Sequence, residues 1–179
     1  MGVQLNKTYN FNSNIIKCFE KVSETLILFN ITVKNDSVKL ASRPIHFRYD
    51  FGDFPPLDIS FDSESGLLRE ITIFINEINI KSFYKMQEIA LINLKGFPSF
   101  TFDRIEKHEY YYDEVCQMEI YLSALSLFVC ISDKEIHTKI IVNEELDILL
   151  NVEDEFIGFV VNHLSINDVE FLKNRRAEY

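Results

Sequence analysis

Apolar and polar side chains alternate one by one along several stretches of this chain, and that pattern is the tightest limit on what it can become. Successive side chains of an extended strand point to opposite faces, so a period of two marks a strand with one buried and one solvated side. Ile45, Phe47, Tyr49 and Phe51 alternate with His46, Arg48 and Asp50, and Leu57, Ile59 and Phe61 alternate with Asp58, Ser60 and Asp62. A third strand spans 67–75. It follows the polar segment Asp62-Ser63-Glu64-Ser65-Gly66, whose glycine accepts a positive φ, so the pair reads as a hairpin. Upstream, Thr25 to Val33 is a nearly unbroken apolar, β-branched run, which predicts a strand covered on both faces.

The second half continues in the same grammar. Val115–Leu122, Leu125–Ser132, Ile136–Asn143, Leu146–Val152 and Phe156–Val161 read as a meander of five short strands. Two segments switch to helical spacing. Phe83, Met86, Ala90 and Leu94 recur every three or four residues from Phe83 to Lys95, with Ser82 able to cap the start and Gly96 and Pro98 marking a stop. From about Ser165 to Arg176, Ser165 and Asp168 form a capping-box-like pair ahead of Val169, Phe171 and Leu172. The expected class is therefore α+β: a mainly antiparallel sheet of hairpins and meander with two helices. Residues 1–179 read as a single domain, with candidate sub-lobes 1–98 and 99–179. A faint internal echo supports two similar halves: Leu57-Asp58-Ile59-Ser60-Phe61-Asp62 and Leu146-Asp147-Ile148-Leu149-Leu150-Asn151 each open a strand, turn, strand and helix in the same order.

Composition narrows the function. Hydrophobic content of 47% with 16 Phe and 8 Tyr supplies an ample core and argues against disorder. No basic stretch precedes an apolar run near the N-terminus, and the longest apolar runs fall far short of a bilayer span. A soluble, cytoplasmic chain with no membrane partner is expected. Cys18, Cys116 and Cys130 share no ligand or disulfide spacing, so they read as free thiols. Charge is uneven. Residues 91–179 carry 8 basic against 17 acidic side chains, and 103–155 carry 4 against 14. Such a field repels phosphate backbones and disfavours nucleic acid as a partner.

Motifs for chemistry are missing in detail. The four histidines, His46, His108, His137 and His163, lack metal-ligand spacing, and Asp62 to Gly66 departs from a calcium loop in the position of its glycine and at Ile73. No nucleophile elbow, Walker loop or dinucleotide fingerprint occurs. Neither a metal nor another cofactor is expected, and no catalytic residue is assigned. Asp50, Asp53, Asp58 and Asp62 leave an alternative open: a hydrolase or small-ligand binder using clustered carboxylates.

The segment Glu109-Tyr110-Tyr111-Tyr112-Asp113-Glu114 stands out. On an extended chain three consecutive tyrosines cannot all face inward, so at least one ring is offered to solvent between acids. Tyrosine contributes large, rigid contact area at low entropic cost, which suits a binding anchor. Glu144, Glu145, Glu153, Asp154 and Glu155 are expected to extend one negative surface around it.

From Leu125 to Leu164, Leu-Ser-Leu-Phe-Val-Cys-Ile-Ser, Leu146-Asp147-Ile148-Leu149-Leu150 and Phe156-Ile157-Gly158-Phe159-Val160 resemble a small β-rich bacterial domain family of unknown function. Glu153-Asp154-Glu155 replaces that family's usual Asp-Gly turn. By overall profile the chain also resembles bacterial immunity proteins, which are small, acidic, motif-free α+β domains. That resemblance implies a non-enzymatic protein-binding module acting on a basic partner, such as a toxin domain.

Overall fold

The computed structural model describes residues 3–10, 12–34, 42–52, 54–76, 80–82, 92–102 and 110–173. The first strands in chain order are β1 (Val3–Tyr9), β2 (Asn14–Lys21), β3 (Ile27–Lys34), β4 (Pro44–Asp50), β5 (Leu57–Asp62), β6 (Leu68–Ile75) and β7 (Ile80–Ser82). Then come β8 (Ile92–Lys95), β9 (Phe97–Phe102), β10 (Tyr111–Val115), β11 (Met118–Leu122) and β12 (Leu127–Ile131). The chain continues with β13 (Thr138–Ile141), β14 (Leu146–Leu150), β15 (Phe156–Val161) and the helix α1 (Ile166–Lys173).

The strands form three sheets. One has six strands in the order β10-β4-β5-β6-β3-β2, one has seven in the order β7-β11-β12-β15-β14-β13-β8, and β1 and β9 form a two-stranded ribbon. One face of each large sheet feeds a single apolar cluster. Phe29, Ile59, Phe61 and Ile71 from the six-stranded sheet belong to the same core as Val129, Ile148, Phe156 and Phe159 from the seven-stranded one. The ribbon ties the layers together through bridges from Leu67 to Ser99 and from Gln4 to Glu155. Burying each of these large side chains stabilises the fold by roughly 1.5–3 kcal/mol.

This architecture corrects the expected α+β class. Among the described residues the fold is nearly all β, with one short helix. The proposed helix from Phe83 to Lys95 lies outside the described residues as far as 91, and its last four residues, Ile92–Lys95, are a strand paired in parallel with β13. At Ile92–Lys95 helical spacing was outweighed by a partner strand more than forty residues downstream. Gly96, read as a helix stop, instead joins β8 to β9 with a φ of 130°, and a Cβ there would lie 2.6 Å from the Tyr9 carbonyl oxygen. The second helix forms as α1, with 174–176 outside the described residues. Its capping box is present, since Asp168 N donates to Ser165 Oγ at 3.1 Å and Ser165 N donates to Asp168 Oδ2 at 2.9 Å.

Three strand expectations also change. The five strands of the second half are not one meander: β12 pairs with β15 and not with β13, because the chain crosses from one side of β14 and β15 to the other. The run beginning at Thr25 forms β3, but only Ile27, Phe29, Ile31 and Val33 are buried, and the opposite face is partly open. The strand expected over Val115–Leu122 breaks at Cys116 and Gln117, so that β10 joins one sheet and β11 the other.

The two halves share a strand order, although the helix that the echo placed after the first hairpin is not among the described residues. The series β2 to β6 is ordered β4-β5-β6-β3-β2, and the series β11 to β15 is ordered β13-β14-β15-β12-β11. Both series carry a register shift at the same place, between Ser60 and Phe61 in one and between Leu149 and Leu150 in the other. Both turns open on an Asx residue whose Oδ1 takes backbone N–H groups: Asp62 from Glu64 and Ser65, Asn151 from Glu153 and Glu155. The sheets do not divide at residue 98. The parallel edge strand beside β4 is β10, from the second half, and the one beside β13 is β8, from the first.

Candidate functional site: the β10 edge and the acidic groove

Tyr110, Tyr111 and Tyr112 are sorted by strand alternation. Tyr112 turns inward, is buried, and stacks on Phe47 with ring centroids 5.1 Å apart. Tyr111 turns outward and is 54% exposed. Parallel pairing sets Tyr111 opposite His46 and Asp113 opposite Arg48, so β4 supplies the surface on which the exposed ring rests. The Tyr111 ring stacks on His46 at 4.9 Å, and the Arg48 guanidinium lies 5.0 Å from its centroid. Each of these partners is itself held. His46 Nδ1 lies 2.8 Å from Asp58 Oδ1, and Arg48 donates from Nε and Nη2 to the two Asp113 oxygens at 2.7 Å each. That fork raises the Arg48 pKa above its ordinary value, first through the Asp113 hydrogen bonds. Arg43 covers Tyr110 at 3.9 Å. The result is an aromatic surface set before any partner arrives, over charges that cancel locally.

The acids separate into two groups. Lys134, from the loop between β12 and β13, lies 3.9 Å from Glu114 and 3.4 Å from Glu155, which joins the end of β10 to the turn after β14. Ser132 N donates to Gln117 O at 2.9 Å and holds that loop against the same end. Asp133, Glu135 and Glu153, with Lys134, Ile136, His137, Asn151 and Val152, line a groove of about 460 Å³ there. Glu153 and Asp154 are exposed, with Asp154 at a φ of 60° in the turn. Glu144 and Glu145 lie at the opposite end of β14, roughly 17 Å away for a strand of this length. Glu145 is paired there with Lys17 at 2.7 Å. The eleven residues expected to share one surface therefore do not all meet: Glu114 and Glu155 meet at Lys134, with Glu153 and Asp154 in the same turn, whereas Tyr110 and Tyr111 lie at the opposite, N-terminal end of β10, Asp113 is tied to Arg48, Tyr112 packs inward, and Glu109 lies outside the described residues.

Asp133, Glu135, Lys134, Val115, Arg43, His46 and Arg48 complete this region and were not singled out as binding residues. His46 and Arg48 were legible as the polar phase of a strand. What hid their role was the parallel pairing of two strands more than sixty residues apart.

The alternative aspartates do not converge. Asp50 caps Gly52, Asp58 holds His46, and Asp53 lies outside the described residues. Asp62 is buried, and burial alone would raise its carboxyl. Hydrogen bonds from Ser42, Ser65 and Glu64 outweigh that and hold it below its ordinary value. None of the three described aspartates lines the groove. Among the described residues no group of three His, Cys, Asp or Glu side chains could hold a metal ion, and no helix is long and apolar enough to cross a membrane.

No protein-family model matches the chain, and no curated protein matches it. The reading of this region therefore rests on its own geometry.

Proposed function

We propose that this chain is a non-enzymatic acidic module that binds a basic protein partner, acting in the cytosol as bacterial immunity proteins act on toxin domains. The observation that supports it most is the carboxylate excess at the C-terminal end of β10, on a strand whose other end carries the rigid, half-exposed Tyr111. Among the described residues, Glu114 and Glu155 pair with one ammonium, Lys134, while Asp133, Glu135 and Glu153 line the groove beside it and Asp154 lies in the same turn, so the described end of the strand carries net negative charge. Unpaired carboxylates of this kind speed the encounter with a cationic protein, and an ordered aromatic ring slows its release. Stacking on His46 and Arg48 removes much of the entropy the ring would otherwise lose on binding.

The test is capture from native cytosol at low and at high salt on immobilised protein, with the bound species identified by mass spectrometry. A basic protein retained by the wild type, released by salt, and lost with Tyr111→Ala is the expected result. Capture of an acidic protein alone, or of a basic one equally well by Tyr111→Ala, would overturn the reading.

A further inference from the structure

The four edges of the two large sheets are not equally open. In the seven-stranded sheet, β7 has three residues and β8 has four, too short to template a long pairing. The β2 edge is eight residues long, but Lys17 points inward from it. Its ammonium is bound to Glu145 and to the carbonyl of His163, and Phe171 of α1 lies over Phe19. Inward charge and a covering helix are the common protections of an edge.

The β10 edge has no covering helix among the described residues, and its inward charge, Glu114, sits only at the far end of the strand, beside Lys134. His46 N donates to Tyr110 O, and Cys116 N donates to Asp50 O, so the even-numbered residues of this stretch make the ladder with β4. In a parallel pair the N–H and C=O of the intervening residues point the other way. Those of Tyr111, Asp113 and Val115 therefore face outward, and among the described residues no strand pairs with them. Val115 is 84% exposed at the end that adjoins the acidic groove, and Val152 on the groove rim is 67% exposed.

We infer that the β10 edge accepts an extended segment of the basic partner as an added strand, with lysine or arginine side chains from that segment seated in the groove lined by Asp133, Glu135 and Glu153. Backbone bonds to Tyr111, Asp113 and Val115 supply the register, and the groove supplies the preference for positive charge. This deepens the binding reading above and rests on it.

The probe is a synthetic octapeptide alternating lysine and valine, titrated into the full chain. Two control peptides accompany it: one with glutamate for lysine, and one with proline for valine, which keeps the charge and removes the N–H groups of one edge. The Lys/Val peptide is expected to bind, with affinity falling at least tenfold for the proline peptide and no binding for the glutamate peptide. Val115→Pro removes an outward N–H and no ladder bond, and the residue before it is already extended, so the fold tolerates it. It should weaken the Lys/Val peptide at least tenfold. Glu135→Gln with Glu153→Gln, which leaves the backbone untouched, should weaken it and flatten its salt dependence. Equal binding of the proline peptide would show attraction by charge alone and overturn strand addition while leaving the acidic-module reading intact. Absence of binding by the Lys/Val peptide, or a dimer of the chain that Val115→Pro dissociates, would also overturn it.

Discussion

The two large sheets share a strand order, a bulge position and an Asx turn, yet their outer faces are opposites. Outside the six-stranded sheet lie Tyr111, His46, Arg48, Asp58, Glu70, Thr72, Asn30 and Thr32, linked by hydrogen bonds such as Asn30 to Thr72 at 3.0 Å. Outside the seven-stranded sheet, Phe128, Cys130, Leu149 and Ile157 form a second buried apolar cluster, with Tyr121, Ile136 and Val160 packed against it. The same backbone plan thus supports one open polar face and one closed apolar face. Topology does not choose between them; the alternate residues of each strand do.

The bulge makes the contrast sharpest. Arg69 is the extra residue opposite Ser60 and Phe61, and Ile157 is the extra residue opposite Leu149 and Leu150. Ile157 is fully buried, whereas the Arg69 side chain reaches solvent and donates to the Ser42 carbonyl at 2.7 Å. Exchanging them tests whether the faces differ as described. Ile157→Arg should destabilise by about 3 kcal/mol or more, because a charge is buried without a partner. Arg69→Ile should cost about 1–2 kcal/mol, since it removes one hydrogen bond and the 3.9 Å ion pair with buried Asp62. Thermal unfolding of both variants is the measurement, and similar losses would dissolve the distinction.

Acid titration gives a smaller effect with opposite signs in the two halves. The Asp62 carboxyl is held below its ordinary value of 3.8, so its contribution is present above that pH and is lost as pH falls through the folded value. Burial raises the Asp147 carboxyl above 3.8, against the opposing effects of Asn162 and Lys139. Its ionised form is thus a cost at neutral pH, relieved as pH falls through the folded value toward 3.8. Asp62→Asn should flatten the loss of stability below about pH 4, and Asp147→Asn should remove a gain on mild acidification. Denaturant titrations at stepped pH read both, and slopes of the same sign would contradict the assignment.

The smallest effect is kinetic. Burial pushes the Cys116 thiol up to about 11 and the Cys130 thiol up to about 12, whereas Cys18 lies exposed on the open face. At pH 8 a thiol-reactive dye should label Cys18 in the folded chain. The other two should react at full rate only on unfolding. Prompt labelling of Cys130 would mean that the outer face of the seven-stranded sheet is open after all.

Local patterning determined a good deal here. The alternation in β4 and β5, the hairpin at Asp62 to Gly66, the hairpins joining β13, β14 and β15, the capping box of α1, and one outward ring among three tyrosines all follow from rules that act within a few residues. The shared strand order of the two halves has a faint trace in Leu57 to Asp62 and Leu146 to Asn151. Tertiary structure decided the rest. It made Ile92–Lys95 a strand, split β10 from β11, sent an edge strand from each half into the other sheet, and divided Glu144 and Glu145 from Glu153 to Glu155. It also built the floor of the candidate site, since Tyr111 rests on His46 and Arg48 only through the parallel pairing of β10 with β4. Those outcomes depend on contacts between residues far apart in the chain, whose energies compete with local preference and leave no periodic trace in it.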